Sequence, residues 1–200
     1  MVINRVVQCF IFLVLSVFVV TQVNAQDGDV RGILGFGADF GGENVVTFYK
    51  TDGGTDTIDA NDGFLIYGGA EMPLEEFSVR GILGYKHASV KASNGDATMT
   101  RMLAELLAVK PVDNHRFVAG LQYQNSPEFE CSVPGICVGN IQFESSIGFV
   151  LEYNYELPLP NDPSSSYLFG GRYTNSKLTV SGTSESLDAS GFGLFMSFLF

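Results

Sequence analysis

A chain of 200 residues with 22 Asp and Glu against 11 Lys and Arg carries a formal charge of −11 at pH 7. That balance excludes a nucleic-acid binder that works by neutralising phosphates, which needs clustered cations. The length suits one domain.

Arg5 precedes an apolar run from Cys9 to Val20, and Val23-Asn24-Ala25 follows. This pattern predicts a secretory signal peptide over residues 1–25, cut after Ala25, with a transmembrane helix of about 20 apolar residues as the alternative. Cleavage leaves 26–200 as the mature domain, 175 residues, and the loss of Arg5 takes its charge from −11 to −12. No later segment approaches a membrane-spanning helix, so a membrane crossing has to use strands. Hydrocarbon satisfies no free backbone N–H or C=O, so strands cross it only as a closed barrel.

Runs with period-two alternation predict eight strands in chain order: Val30–Phe40, Phe64–Met72, Phe77–Lys86, Thr100–Val109, Phe117–Gln124, Ile141–Tyr155, Tyr167–Asn175 and Gly191–Phe200. Most approach the roughly nine to eleven residues that a tilted transmembrane strand needs. Pro-marked turns (Pro73–Glu76, Pro111–Arg116, Pro158–Ser166) alternate with longer stretches (Gly41–Gly63, His87–Met99, Asn125–Asn140, Ser176–Ser190). Short turns on one side and long loops on the other are the pattern of an antiparallel up-and-down transmembrane β-barrel. Within the first long stretch, Val45–Lys50 and Thr55–Ile58 flank Asp52-Gly53 as a hairpin. It either rises above the membrane, the reading preferred for so polar a segment, or adds two strands to make ten. Val30-Arg31-Gly32-Ile33-Leu34-Gly35 recurs as Val79-Arg80-Gly81-Ile82-Leu83-Gly84, which fits duplication of a hairpin or convergence in a Gly-rich chain.

With bulky apolar residues facing out, the opposite face collects Arg31, Asp39, Glu71, Arg80, Lys86, Arg101, Glu105, Glu144, Glu152 and Arg172, a set with no net charge. An eight-strand barrel leaves just enough interior for side chains, so these groups are expected to pair into a polar plug; an ion-conducting lumen is the alternative. The excess negative charge then falls in loops, with Asp52, Asp56, Asp59 and Asp62 in the first and Glu128 and Glu130 in the third. Without a complete calcium-loop spacing these read as solvated acids, and no metal site is expected. Cys131 and Cys137 flank Pro134-Gly135, and in an oxidising compartment they are expected to form a disulfide rather than a metal pair. Tyr67, Tyr85, Tyr123, Tyr153, Tyr155, Tyr167 and Tyr173 lie mostly near strand ends, and aromatic girdles at the membrane interfaces account for most of them. His115 reads as a solvated turn residue.

Asp39-Phe40-Gly41-Gly42, Asn94-Gly95-Asp96-Ala97 and the last strand, with Phe192, Leu194, Met196, Phe198 and Phe200 on one face, resemble the small eight-stranded outer-membrane barrels, the OmpA transmembrane-domain and OmpX-like group and porin-family barrels of proteobacteria. That resemblance implies an integral outer-membrane monomer without cofactor. It also implies that Phe198 and Phe200 serve as an assembly signal for the barrel-assembly machinery, and that the partners are outer-membrane lipids and lipopolysaccharide. His87-Ala88-Ser89 is similar, over two residues, to the His-x-Ser of lipid A deacylases, where His activates Ser for attack on an ester. The expected role is nonetheless structural or surface interaction without catalysis, with a narrow channel and a lipid-modifying enzyme as the alternatives.

Overall fold

Alternation of side chains along extended backbone is the organising feature of the fold, and in the computed structural model it is carried by residues 30–49, 54–92, 95–133 and 137–200. The expected signal peptide lies outside these described residues, as do Asp52-Gly53, Asn94 and Pro134-Gly135. The described residues form strands β1 (Arg31–Phe40), β2 (Asn44–Tyr49), β3 (Thr55–Asp59), β4 (Gly63–Pro73), β5 (Ser78–Ala92), β6 (Gly95–Val112), β7 (His115–Val133), β8 (Cys137–Gln142), β9 (Ser146–Leu159), β10 (Asp162–Asn175), β11 (Lys177–Thr179), β12 (Ser186–Asp188) and β13 (Gly191–Leu199). No helix occurs among them.

Strands β1, β4, β5, β6, β7, β9, β10 and β13 pair antiparallel in that order, and β13 pairs back onto β1, from Ile33 opposite Leu199 to Phe40 opposite Phe192. The barrel is therefore closed with eight strands. The ten-strand alternative fails because, among the described residues, β2 and β3 pair only with each other, as a hairpin outside the wall. Its alternation gives no lipid-facing stripe: Thr55 and Thr57 are exposed while Phe48 and Ile58 are buried beneath it.

On the wall, Phe192 and Leu194 point outward and Gly193, Phe195, Ser197 and Leu199 point inward. The same division runs through β4, with Phe64 and Ile66 outside and Leu65, Tyr67 and Glu71 inside. A continuous apolar outer wall has no favourable neighbour in water; it is built to face hydrocarbon.

Short connections close one end. Leu74 N–H donates to Phe77 C=O at 2.7 Å, and β6 and β7 join through Asp113-Asn114 with Asp113 at φ 52°. The other end departs from expectation. His87–Ala92, Gly95–Met99 and much of Asn125–Asn140, all within stretches read from sequence as loops, continue the wall instead: β5, β6 and β7 run for 15, 18 and 19 residues, well beyond a bilayer crossing. Their polar outer face, with Ser89, Thr98 and Glu130, disguises them as loops, although the inner face stays apolar. Pro158–Ser166 is likewise shorter than expected, since β9 reaches Leu159 and β10 resumes at Asp162.

The seam at Phe200 has a specific construction. Gly32 and Phe200 exchange backbone hydrogen bonds at 2.6 and 2.9 Å, and a Cβ on Gly32 would lie 2.6 Å from the Phe200 ring. Only glycine there lets the ring lie across β1, where it also stacks on Phe198 at 5.6 Å. Deleting Phe200 removes both bonds, worth together about 2 kcal/mol, and the ring cover. We expect slower assembly and a smaller heat-modifiable fraction in cells; unchanged assembly would show that the seam closes without it.

Candidate functional site

Inward parity brings buried charges together along the barrel axis. Glu71, fully buried on β4, pairs with Arg80 at 2.8 Å, with Arg31 at 3.1 Å and with Arg116. Arg116 also holds Glu156 at 2.7 Å. From Arg80 the contacts continue through Glu152 (3.6 Å), Arg172 (3.6 Å), Asp39 (4.0 Å) and Lys86 (2.7 Å), while Arg172 also pairs with Glu105. Gln122 donates to Glu105 at 2.7 Å, and the Tyr67 and Ser197 hydroxyls share a hydrogen bond of 2.5 Å. Ionic links thus run from one end of the interior toward the other. Between them pack Ile33, Leu103, Leu107, Val150, Leu168 and Phe195, so each charge is held in surroundings that penalise it unless paired.

At the upper end the polypeptide itself enters the mouth. The turn Ala60-Asn61-Asp62 between β3 and β4 is gripped by Arg101, which donates to Ala60 C=O at 2.6 Å and to Asp62 C=O at 2.9 Å. Lys86 donates to Asn61 Oδ1 at 2.9 Å. Above this turn lies a second apolar core built from Phe48, Ile58, Ala97, Met99, Phe129, Cys131, Val133, Phe143 and Leu178. Its β7 members have odd numbers, whereas Arg116, Gln122 and Gln124 face inward at even positions. The shift occurs at a β-bulge, where the β6–β7 register jumps between Thr100 and Met102 and Ser126 adopts φ 38°. One extra residue there turns Phe129 and Cys131 toward the core. Cys131 and Cys137 form a disulfide with Cα atoms 5.7 Å apart, tying β8 to β7.

The outer surface of this cap is acidic. Among its described residues Lys91 and Lys177 stand against Glu43, Asp56, Asp59, Asp96, Glu128, Glu130, Glu144, Glu185 and Asp188. Hydrogen bonds from the Ser190 side chain and backbone hold the Asp188 carboxyl below the usual carboxylate range.

Of the expected lumen set, nine members face the interior, Arg31 half-buried among them. Glu144 does not, which corrects the sequence reading: β9 begins at Ser146, and Glu144 is exposed at the bend after β8, where its N–H donates to Thr179 C=O. Ile141–Tyr155 is not one continuous strand, so parity carried across the break assigned Glu144 to the wrong face. Arg116 was missed because Pro111–Arg116 read as a turn. Tyr67 is not a girdle residue; it shares the parity of Glu71 and lies across Gly35, whose Cβ would meet the ring at 2.4 Å. His87 and Ser89 both sit on the exposed face of β5, with His87 stacked against Tyr85 at 6.5 Å. Among the described residues no carboxylate pairs with His87. No group of His, Cys, Asp and Glu able to hold a metal occurs among the described residues.

No known family model matches the chain, and no curated protein does. Among solved structures, it is similar to Ail, the attachment invasion locus protein of Yersinia pestis, solved with the heparin analogue sucrose octasulfate. That likeness has 12% identity and a TM-score of 0.52, over 88% of this chain and 100% of that one. The fold is that of a small eight-stranded outer-membrane β-barrel. Lower likenesses are to the Neisserial surface protein NspA (11% identity, TM-score 0.48, 87% of this chain and 97% of that one) and to OprG from Pseudomonas aeruginosa (12%, 0.48, 86% and 95%). Within this barrel, the departures from a plain wall lie on one side, where β2, β3, β8, β11 and β12 surround the mouth.

Proposed function

We propose that the protein is an integral outer-membrane barrel, exported by its signal peptide, whose filled interior makes a rigid stand for an acidic surface cap. The observation that carries this reading is the double filling of the barrel. Ion pairs link Arg31 to Lys86 through the interior, and Arg101 fastens the Ala60–Asp62 turn into the mouth beneath an apolar core. An eight-strand barrel has room for side chains and little else. Its role is structural or surface interaction without chemistry, as a monomer surrounded by outer-membrane lipids and lipopolysaccharide and inserted by the barrel-assembly machinery. Exposure of His87 and Ser89 without an orienting acid argues against acyl-ester cleavage.

A narrow channel is the competing role, and planar-bilayer recording separates the two. The wild-type barrel is expected to give no reproducible single-channel steps. Arg101→Ala, which releases the turn from the mouth, is expected to be as silent, because the ion pairs below it remain. Steady wild-type steps that change size with Lys86→Gln or Arg172→Gln would overturn the closed-barrel reading.

A further inference from the structure

Strand β8 has a partner on one side only for most of its length. It pairs with β7 from Glu128 opposite Gln142 to Val133 opposite Cys137. Among the described residues its other edge is engaged only at the end, where Ser181 N–H donates to Gln142 C=O at 2.9 Å and Phe143 bridges Val180. Phe143 N–H points the opposite way, to Pro127 C=O at 2.8 Å. Alternation along an antiparallel strand therefore turns the N–H and C=O of Val138 and Asn140 away from β7, into solvent.

Strand edges of this kind are ordinarily guarded by Lys, Pro or a covering segment. Cys-Val-Gly-Asn-Ile-Gln has neither charge nor proline, and it leaves Val138 79% and Ile141 42% exposed. Val138 shares the outer face with Asn140, and Ile141 the core-side face with Gly139, so apolar side chains border the open edge on both sides. The Cys131–Cys137 disulfide holds this strand in place, which lowers the ordering cost of docking.

Charge selects the occupant. Glu130 lies opposite Asn140, and Glu128, which accepts a hydrogen bond from the Asn140 amide, lies opposite Gln142; Glu144 is exposed just beyond. A second copy of the chain would bring two acidic caps together, and anionic glycans would meet the same repulsion. We infer that the open edge of β8 docks an extended, lysine- or arginine-rich segment of a partner protein by strand addition. Backbone bonds to Val138 and Asn140 supply affinity, Ile141 packs its apolar positions on the core-side face, and the glutamates receive its cations on the outer face. This inference rests on the surface role proposed for the cap.

The test uses the full mature chain folded in lipid nanodiscs, with two synthetic octapeptides as probes, one alternating Val and Lys and one alternating Val and Glu. The Lys peptide is expected to bind, to slow amide exchange at Val138 and Asn140 by about tenfold or more, and to weaken as salt rises; the Glu peptide is expected to do neither. Asn140→Pro removes an outward N–H at a position where an edge strand tolerates proline, and affinity should fall about tenfold. Asn140→Ala, which keeps the N–H, should stay within about threefold of wild type and serves as the folding control. Absence of Lys-peptide binding, equal binding by Asn140→Pro, or equal binding of the Glu peptide would overturn the inference. So would protection of Val138 and Asn140 in the protein alone together with concentration-dependent oligomers, which would assign the edge to a second copy. None of these outcomes alters single-channel behaviour, which tests the closed barrel separately.

Discussion

Replacing Glu71 by Gln is expected to destabilise the folded barrel by about 3–5 kcal/mol, the range found when one member of a buried ion cluster is removed. Glu71 is fully buried and meets Arg31, Arg80 and Arg116 at once. Glutamine keeps the shape and cancels the charge. Three guanidiniums then share only Glu152 and Glu156, the first of which is also engaged by Arg172. The measurement is the urea midpoint of the barrel folded in lipid vesicles, read as the fraction of heat-modifiable protein, with a lower midpoint at unchanged slope as the expected result. Glu76→Gln provides the contrast. Its pairing with Lys110, at 3.8 Å, is largely exposed at both ends and should contribute less than about 1 kcal/mol. Removing one excess cation as well, in Glu71→Gln with Arg116→Gln, should recover part of the loss. Equal midpoints for the Glu71 and Glu76 variants would mean that the interior charges are solvated, which would also reopen the question of conduction.

Leu106→Arg should cost about 2–4 kcal/mol in a bilayer, the penalty for a cation on the lipid face near the midplane. Leu106 points outward at mid-height on β6, between Gly81 and Leu121, and is 63% exposed. Eight residues up the same strand and on the same face, Thr98 lies opposite Glu130 on the part of the wall that rises into the cap. Thr98→Arg should therefore change stability by no more than about 0.5 kcal/mol. Folding both variants into vesicles and comparing urea midpoints reads the depth of the membrane directly. If both substitutions cost the same, the boundary between wall and cap is placed wrongly along β6.

The sign of that boundary was the hardest feature to read in the sequence. Within the wall, alternation alone separates Leu34 and Phe36 from Ile33, and the same alternation places Arg80, Glu105, Glu152 and Arg172 on one face. Above it the outer face turns polar, and period-two segments such as His87–Val90 look like loops because only one of their faces is apolar in either setting. Glu144 and Arg116 mark the two ways in which parity misleads. One sits beyond a break that alternation cannot detect, and the other was hidden inside a segment whose Pro111 and Asn114 suggested that the turn extended further. Tyr67 could have been placed by counting from Glu71, since both occupy odd positions on β4.

Alternation, strand length and the closing aromatic face were sufficient for a closed barrel of eight or ten strands with a charged interior, because a side-chain period of two leaves each wall residue only two places to go; that β2 and β3 stay out of the wall was decided by the tertiary structure. Which charges meet, how the Ala60–Asp62 turn is held in the mouth by Arg101, and that β5, β6, β7 and β8 continue upward around a second core depended on tertiary structure. Those features arise from strand stagger around the closed barrel and from the extra residue at Ser126, neither of which changes the period of the sequence; both change what each inward residue faces.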